Sequence, residues 1–120
     1  MPNPVVRWQI LSPTPEKVAG FYQKLFDWKL SKAIALGYRE FTSGDKTGVD
    51  GGVWPAPPGV NGFVQLFVEV PDVDAAIAKA ISLGGKVLVP KSVLPDGDTM
   101  AVLHDPTGIS FGVCALAKRG

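Results

Sequence analysis

The chain carries one pattern twice, and that repeat restricts its fold more than any other feature. Shifted by 58 positions, VRWQILSPTPEKVAGFYQKLFDW lies over VQLFVEVPDVDAAIAKAISLGGK, so that Arg7 falls on Gln65, Ile10 on Val68, Pro13 on Pro71, Val18 on Ala76, Ala19 on Ile77 and Leu25 on Leu83. Self-similarity at a fixed period marks one supersecondary unit used more than once. Each copy begins as a strand, turns at a proline and continues as a helix of about three turns.

In the first copy, Val5 to Leu11 is a β-rich run, and Thr14-Pro15-Glu16 supplies an N-cap oxygen, a proline at the first helical position and an acid in the first turn. Val18, Phe21, Tyr22 and Leu25 then recur at helical spacing. In the second, Phe63 to Val70 is the strand, Asp72 the cap, and Ile77, Ala80 and Ile81 the buried stripe, closed by Gly84 and Gly85. Strand signals follow each helix: Leu36 to Thr42, a turn at SGDKTG and Val49 to Trp54 in the first copy; Lys86 to Val89, a turn at LPDGD, Thr99 to Leu103, a turn at HDPTG and Ile109 to Ala115 in the second. These runs predict an α+β fold in a single domain over residues 1–120, with module one at about 1–54, a Pro/Gly-rich linker at about 55–62 and module two at about 63–117.

Composition narrows the function classes. With 46% hydrophobic and 19% charged residues the chain has the makings of a packed core. A net charge of +1 with scattered lysines and arginines, apart from Lys118 and Arg119, argues against nucleic acid as a partner. No window approaches the roughly 20 apolar residues of a membrane span, and MPNPVVRW lacks the basic region and long apolar run expected of a secretory leader. The expectation is a cytoplasmic protein. Cys114 is the only cysteine and lies in an apolar run, which favours a core thiol over a nucleophile. There is no G-x-S-x-G elbow, no P-loop and no G-x-G-x-x-G opening a helix, while LGGKV reads as a helix C-cap entering a strand. Serine hydrolases, P-loop NTPases and dinucleotide enzymes fall away.

FYQKLFDW, VEVPDVDAAIAKAISLGGKVLVPK and AVLHDPTGISFG, in that order, resemble the vicinal oxygen chelate superfamily, which includes glyoxalase I, extradiol dioxygenases and bleomycin-resistance proteins. The resemblance spans nearly the whole chain. It implies two βαβββ modules forming a cupped, incomplete β-barrel-like sheet with helices outside, often completed as a homodimer. It also implies a divalent metal held by a His or Glu on the first strand of each module and a Glu on the last. Those positions fall on Arg7, Gln65, Gly112 and a residue near Gly52, none of them a usual ligand. So the resemblance carries over fold and site location, with no metal or other cofactor expected.

Strand alternation supplies the candidate site. Trp8 and Ile10 go to the helix side, as do Val64, Leu66, Val68 and Val70 in the second copy. The opposite face collects Arg7, Gln9, Gln65, Phe67, Glu69, Asp50 and Trp54, with Tyr38 and Phe41 either lining it or filling core. Arg7 would pair with Glu69 or Asp50, or anchor an anionic or carbonyl group; Gln9 and Gln65 would orient it, and Trp54 and Phe67 would wall it. His104 precedes the tight DPTG turn and reads as structural, with a lesser role open as a general base. The leading expectation is a bleomycin-resistance-like module that binds a small molecule without metal. The alternatives are a metal-dependent lyase, isomerase or dioxygenase with relocated ligands, and a subunit whose edge strands serve assembly.

Overall fold

The computed structural model describes residues 3–32, 37–94 and 97–117. Leu36, Pro95 and Asp96 of the anticipated strand and turn, and the basic pair Lys118 and Arg119, lie outside the described residues. The elements in chain order are β1 (Val5–Ser12), α1 (Pro15–Phe26), β2 (Lys29–Leu30), β3 (Arg39–Thr42), β4 (Gly51–Pro55), β5 (Phe63–Glu69), α2 (Val73–Ser82), β6 (Lys86–Val93), β7 (Thr99–His104) and β8 (Ser110–Ala115). This is an α+β chain made of two βαβββ modules, as the repeat requires. It divides into two compact units, one built on Arg7–Gln65 and the other on Leu66 onward with the N-terminal residues up to Val6.

In the first unit the strand order is β2-β3-β4-β1, with β1 parallel to β4 and the other neighbours antiparallel. Its core is Ala19, Phe41 and Val53, packed with Trp8, Ile10, Val18, Tyr22, Trp28 and Leu30. The Trp8 ring lies on Phe41 with centroids 5.9 Å apart, and its indole N–H donates to the Val49 carbonyl at 2.7 Å. Gly51 has to be glycine because a Cβ there would run into the Trp8 ring. The helix is rotated from the stripe anticipated for it. Ala19, with Val18 and Tyr22, meets the sheet, while Phe21 and Leu25 stay exposed. A residue as small as Ala19 lets the helix approach closely, and the larger side chains move to the flank.

One further expectation is corrected at this end. Thr14 makes no side-chain cap bond; instead Ser12 Oγ accepts the Thr14 N–H at 3.0 Å. Pro15 has no N–H to offer, which removes one of the donors a cap would serve. The third strand that a βαβββ module needs is β2, whose place was not read because two residues carry no readable period.

The second unit runs β5-β8-β7-β6, with β5 parallel to β8. Val70, Val73, Ala101, Leu103 and Val113 form its core, joined by Val68, Ala76, Ile77 and Ala80. Asp72 caps α2 as expected, accepting the Ala75 N–H at 3.2 Å, and Gly84 ends the helix at φ +94° with Gly85 N–H on the Ala80 carbonyl at 2.8 Å. Ile81 lies outside the buried stripe and is exposed, as are Val64 and Leu66 at 63% and 51%. The ten residues of α2 reach only Val68 and Val70 at the end of the strand. β6 runs four residues past the expected Val89, and register shifts between Val87 and Val89 and between Val89 and Ser92 bend this edge strand.

Both units close a hairpin with Asp-x-Thr-Gly. Asp45 accepts from the Thr47 N–H and hydroxyl at 2.8 and 2.6 Å, and Asp105 does the same with Thr107 at 2.8 and 2.7 Å, adding the Ile109 N–H at 3.0 Å. Those bonds hold both carboxyls below the ordinary aspartate range, the Thr47 and Thr107 hydroxyls contributing most. Among the described residues no helix is long and apolar enough to cross a membrane.

Candidate functional site

The first unit gathers polar groups on the face opposite α1. In the β3-β4-β1 register Glu40, Gly52 and Gln9 stand in one row, and Trp54 pairs with Leu11 in the next but one. Arg7 and Asp50 each precede a paired residue, Trp8 and Gly51 respectively, and so share this face. Alternation explains the arrangement, since Trp8 and Ile10 are committed to the core on the other side.

Tyr38, at 4% exposure just before β3, organises the face. Its ring stacks on Trp54 with centroids 4.5 Å apart and planes 28° from parallel, and it fills the space over Gly52, where any Cβ would strike the ring and hydroxyl. Arg7 Nη1 donates to the Tyr38 hydroxyl at 3.4 Å, while Arg7 Nη2 lies 3.9 Å from Glu40 Oε2. Burial raises the Tyr38 pKa above 10.0; the Arg7 charge opposes that shift without cancelling it, so the phenol stays protonated at neutral pH.

Arg7's carboxylate is therefore Glu40, not the Glu69 or Asp50 expected for it. Glu40 pairs with Gly52 across β3 and β4, and strand alternation from that pair is the signal that places it on this face. Asp50 is exposed and accepts the Ser43 N–H at 3.4 Å. Gln9 is 5% exposed and makes no side-chain hydrogen bond among the described residues. The Trp54 indole N–H is buried and unpaired among the described residues. Gln65 is buried in the same unit.

Phe67 and Glu69 belong to the other unit. There Phe67 pairs with Gly112 and covers it, so that a Cβ on Gly112 would collide with the ring. Glu69 is half-buried, and its backbone N–H bonds the Pro4 carbonyl at 2.9 Å. Phe41 is core, as one of its two readings held. His104 ends β7 opposite Ser110 and Lys86, beside a turn organised by Asp105. Cys114 is half-buried, with its Sγ 3.8 Å from the Val68 carbonyl.

Residues 9–114 match the model of the glyoxalase-like domain family. The chain belongs to that family, within the vicinal oxygen chelate superfamily. It is 30% identical over 113 residues to "Putative glyoxylase CFP32" of Mycobacterium bovis, an alignment that covers 88% of this chain and 43% of that protein. The chain thus spans less than half the length of the curated relatives it matches. Among solved structures, hypothetical protein BH1468 from Bacillus halodurans superposes with a TM-score of 0.69 at 14% identity, over 100% of this chain and 99% of that one. Methylmalonyl-CoA epimerase from Mycobacterium tuberculosis gives 0.66 at 15% identity, over 95% and 88%. At such identities these likenesses concern the fold.

The glyoxalase-like chain lacks the donors of the superfamily's metal centre. Of the four positions, Arg7 offers a cation and Gln65 a carboxamide, while Gly52 and Gly112 lie under the rings of Tyr38 and Phe67. No group of three or more His, Cys, Asp or Glu side chains is placed to hold a metal ion among the described residues. A divalent cation, which needs several anionic or imidazole donors converging on one point, does not fit these residues.

Proposed function

We propose that residues 1–120 form a single glyoxalase-like domain that binds a small organic molecule on the Arg7–Gln9–Tyr38–Trp54 face, without a metal, in the manner of a sequestering bleomycin-resistance-type module. The observation that carries the reading is the Tyr38 ring over Gly52. Where a glutamate would ligate a cation, this chain has a buried phenol stacked on an indole and hydrogen-bonded to a guanidinium. Aromatic walls with a few oriented polar groups are the usual lining of a small-molecule site. Arg7 and Gln9 supply the hydrogen bonds, Tyr38 and Trp54 the apolar wall, and Asp50 the rim.

The domain acts in this reading as a cytoplasmic homodimer. Exposed Val87, Leu88 and Val89 on β6 support a second copy as partner, and the lone cysteine supports a reducing compartment. Light scattering on a size-exclusion column measures the oligomer; a monomer at micromolar concentration removes that part.

Elemental analysis of the purified chain, followed by melting with added Zn²⁺, Ni²⁺, Mn²⁺ or Fe²⁺, tests the absence of a metal. We expect substoichiometric metal and no concentration-dependent stabilisation. About one tightly held metal per chain would overturn the reading in favour of a metal-dependent lyase, isomerase or dioxygenase with relocated ligands.

A further inference from the structure

The charges on the Tyr38 face are already matched. Arg7 faces Glu40 at 3.9 Å and gives Nη1 to Tyr38, and Asp50 adds a second carboxylate beside it in the register. An arriving anion would gain Arg7 only by competing with Glu40, and would meet the field of Asp50 as well. What the face leaves unmatched is neutral.

Gln9 is 5% exposed and makes no side-chain hydrogen bond among the described residues, while the Trp54 Nε1–H is both buried and without a partner there. Tyr38 accepts from Arg7 through its oxygen, so its own proton is directed elsewhere, and no described residue accepts it. Gln9 and Tyr38 converge on Gly52, one by register and the other by the ring that covers it. Buried polar groups are rarely left without a partner, and those that are call for a water or a ligand. The donors N–H, O–H and N–H here all seek a lone pair, and none carries charge.

We propose that the ligand is an uncharged compound with carbonyl-type acceptors on a flat apolar body, received by the Gln9 amide and the Tyr38 hydroxyl against the Trp54 wall. A carboxylate or phosphate anion is the ligand this excludes. The proposal rests on the organic-ligand reading above and adds its chemical class.

A panel of paired probes tests it on the intact chain at pH 7, each pair a neutral carbonyl compound and the carboxylate of matching shape, with 2-acetylnaphthalene and 2-naphthoate as the first pair. Titration calorimetry gives the affinities. We expect saturable binding of neutral members at least tenfold tighter than of their carboxylates, weakened at least tenfold in Gln9→Leu and Tyr38→Phe. Both variants remove the donor while keeping side-chain bulk, and circular dichroism verifies their fold; if one fails to fold, the other decides. Tighter binding of the carboxylates would overturn the ligand class and leave the organic-ligand reading standing. Neutral binding that both folded variants keep at full strength would also overturn the class, since the donors would then take no part. No saturable binding by any member would overturn both.

Discussion

Gly52→Ala tests the geometry on which the site depends. The added Cβ would meet the Tyr38 ring carbons and hydroxyl. That ring has little room to yield: it is 4% exposed, stacks on Trp54 at 4.5 Å and is tied to Arg7. Inserting a methyl into a packed site of this kind costs about 1–3 kcal/mol. Forfeiting the Tyr38–Trp54 stack adds up to about 1 kcal/mol. Tyr38→Ala alone should cost about 3–5 kcal/mol through the cavity it opens. With the ring gone the three atoms that crowd the alanine methyl go with it, so the double variant should be at least about 1 kcal/mol more stable than the sum of the single effects implies. Urea unfolding followed by circular dichroism measures all four corners of the cycle, with m-values compared to verify that the transitions are alike. A Gly52→Ala chain within about 0.5 kcal/mol of wild type, or strict additivity in the double variant, would show that the ring does not cover Gly52.

Other expectations follow from the same contacts. Because burial raises the Tyr38 pKa, the folded chain holds the phenolic proton longer than the unfolded chain, so stability should fall as pH rises past 10.0 towards the folded value. Unfolding between pH 9 and 11 should show a shallower loss in Tyr38→Phe, and equal slopes would refute the assignment. For Asp105 the sign is opposite: its lowered pKa gives stability present above 3.8 and lost as pH falls through the folded value. Asp105→Asn should melt below wild type at pH 7, with the gap closing in acid; a gap independent of pH would sink this. Asp72→Ala should cost about 1 kcal/mol through the lost Ala75 bond, whereas Thr14→Ala, with no side-chain cap bond to lose, should cost a few tenths at most. Comparable losses at the two caps in urea unfolding would contradict that contrast.

The repeat and the strand alternation carried the fold and the face on which Arg7, Gln9 and Trp54 lie, for a physical reason. A period of two decides the face of Arg7, Gln9 and Trp54 once Trp8 and Ile10 are assigned to the core, and no tertiary knowledge is needed. The pairing of Arg7 depends on which strand lies beside β4, and that is a long-range fact, so Asp50 and Glu69 looked as good as Glu40. Side-chain size misled the helix reading: Phe21 and Leu25 looked like the buried stripe, but the closest approach belongs to Ala19. The turns at DKTG 45–48 and DPTG 105–108 were readable from their Asp, Pro and Gly, each hydrogen-bonded through its Asp and Thr.

The repeat also shows why the polar row lies in one module only. In each, the fifth residue of the first strand pairs with a glycine on the last, Gln9 with Gly52 and Phe67 with Gly112. Both glycines are covered by aromatic rings, but by different routes. In the second unit the ring is the first-strand residue itself, so the row is closed by Phe67 and leaves no polar group to satisfy. In the first, Tyr38 arrives from the approach to β3, which frees the Gln9 position to carry an amide. Gln9→Phe should therefore make the first module imitate the second, and the comparison is instructive because Tyr38 already holds the space. Two rings cannot occupy the volume over Gly52, so this variant should lose stability by about 1–3 kcal/mol from overpacking, and the loss should shrink when Tyr38→Ala is combined with it. A Gln9→Phe chain as stable as wild type, with its melting unaffected by Tyr38→Ala beyond that substitution's own cost, would mean that Gln9 points away from Gly52 and that the unpaired amide is no part of the site.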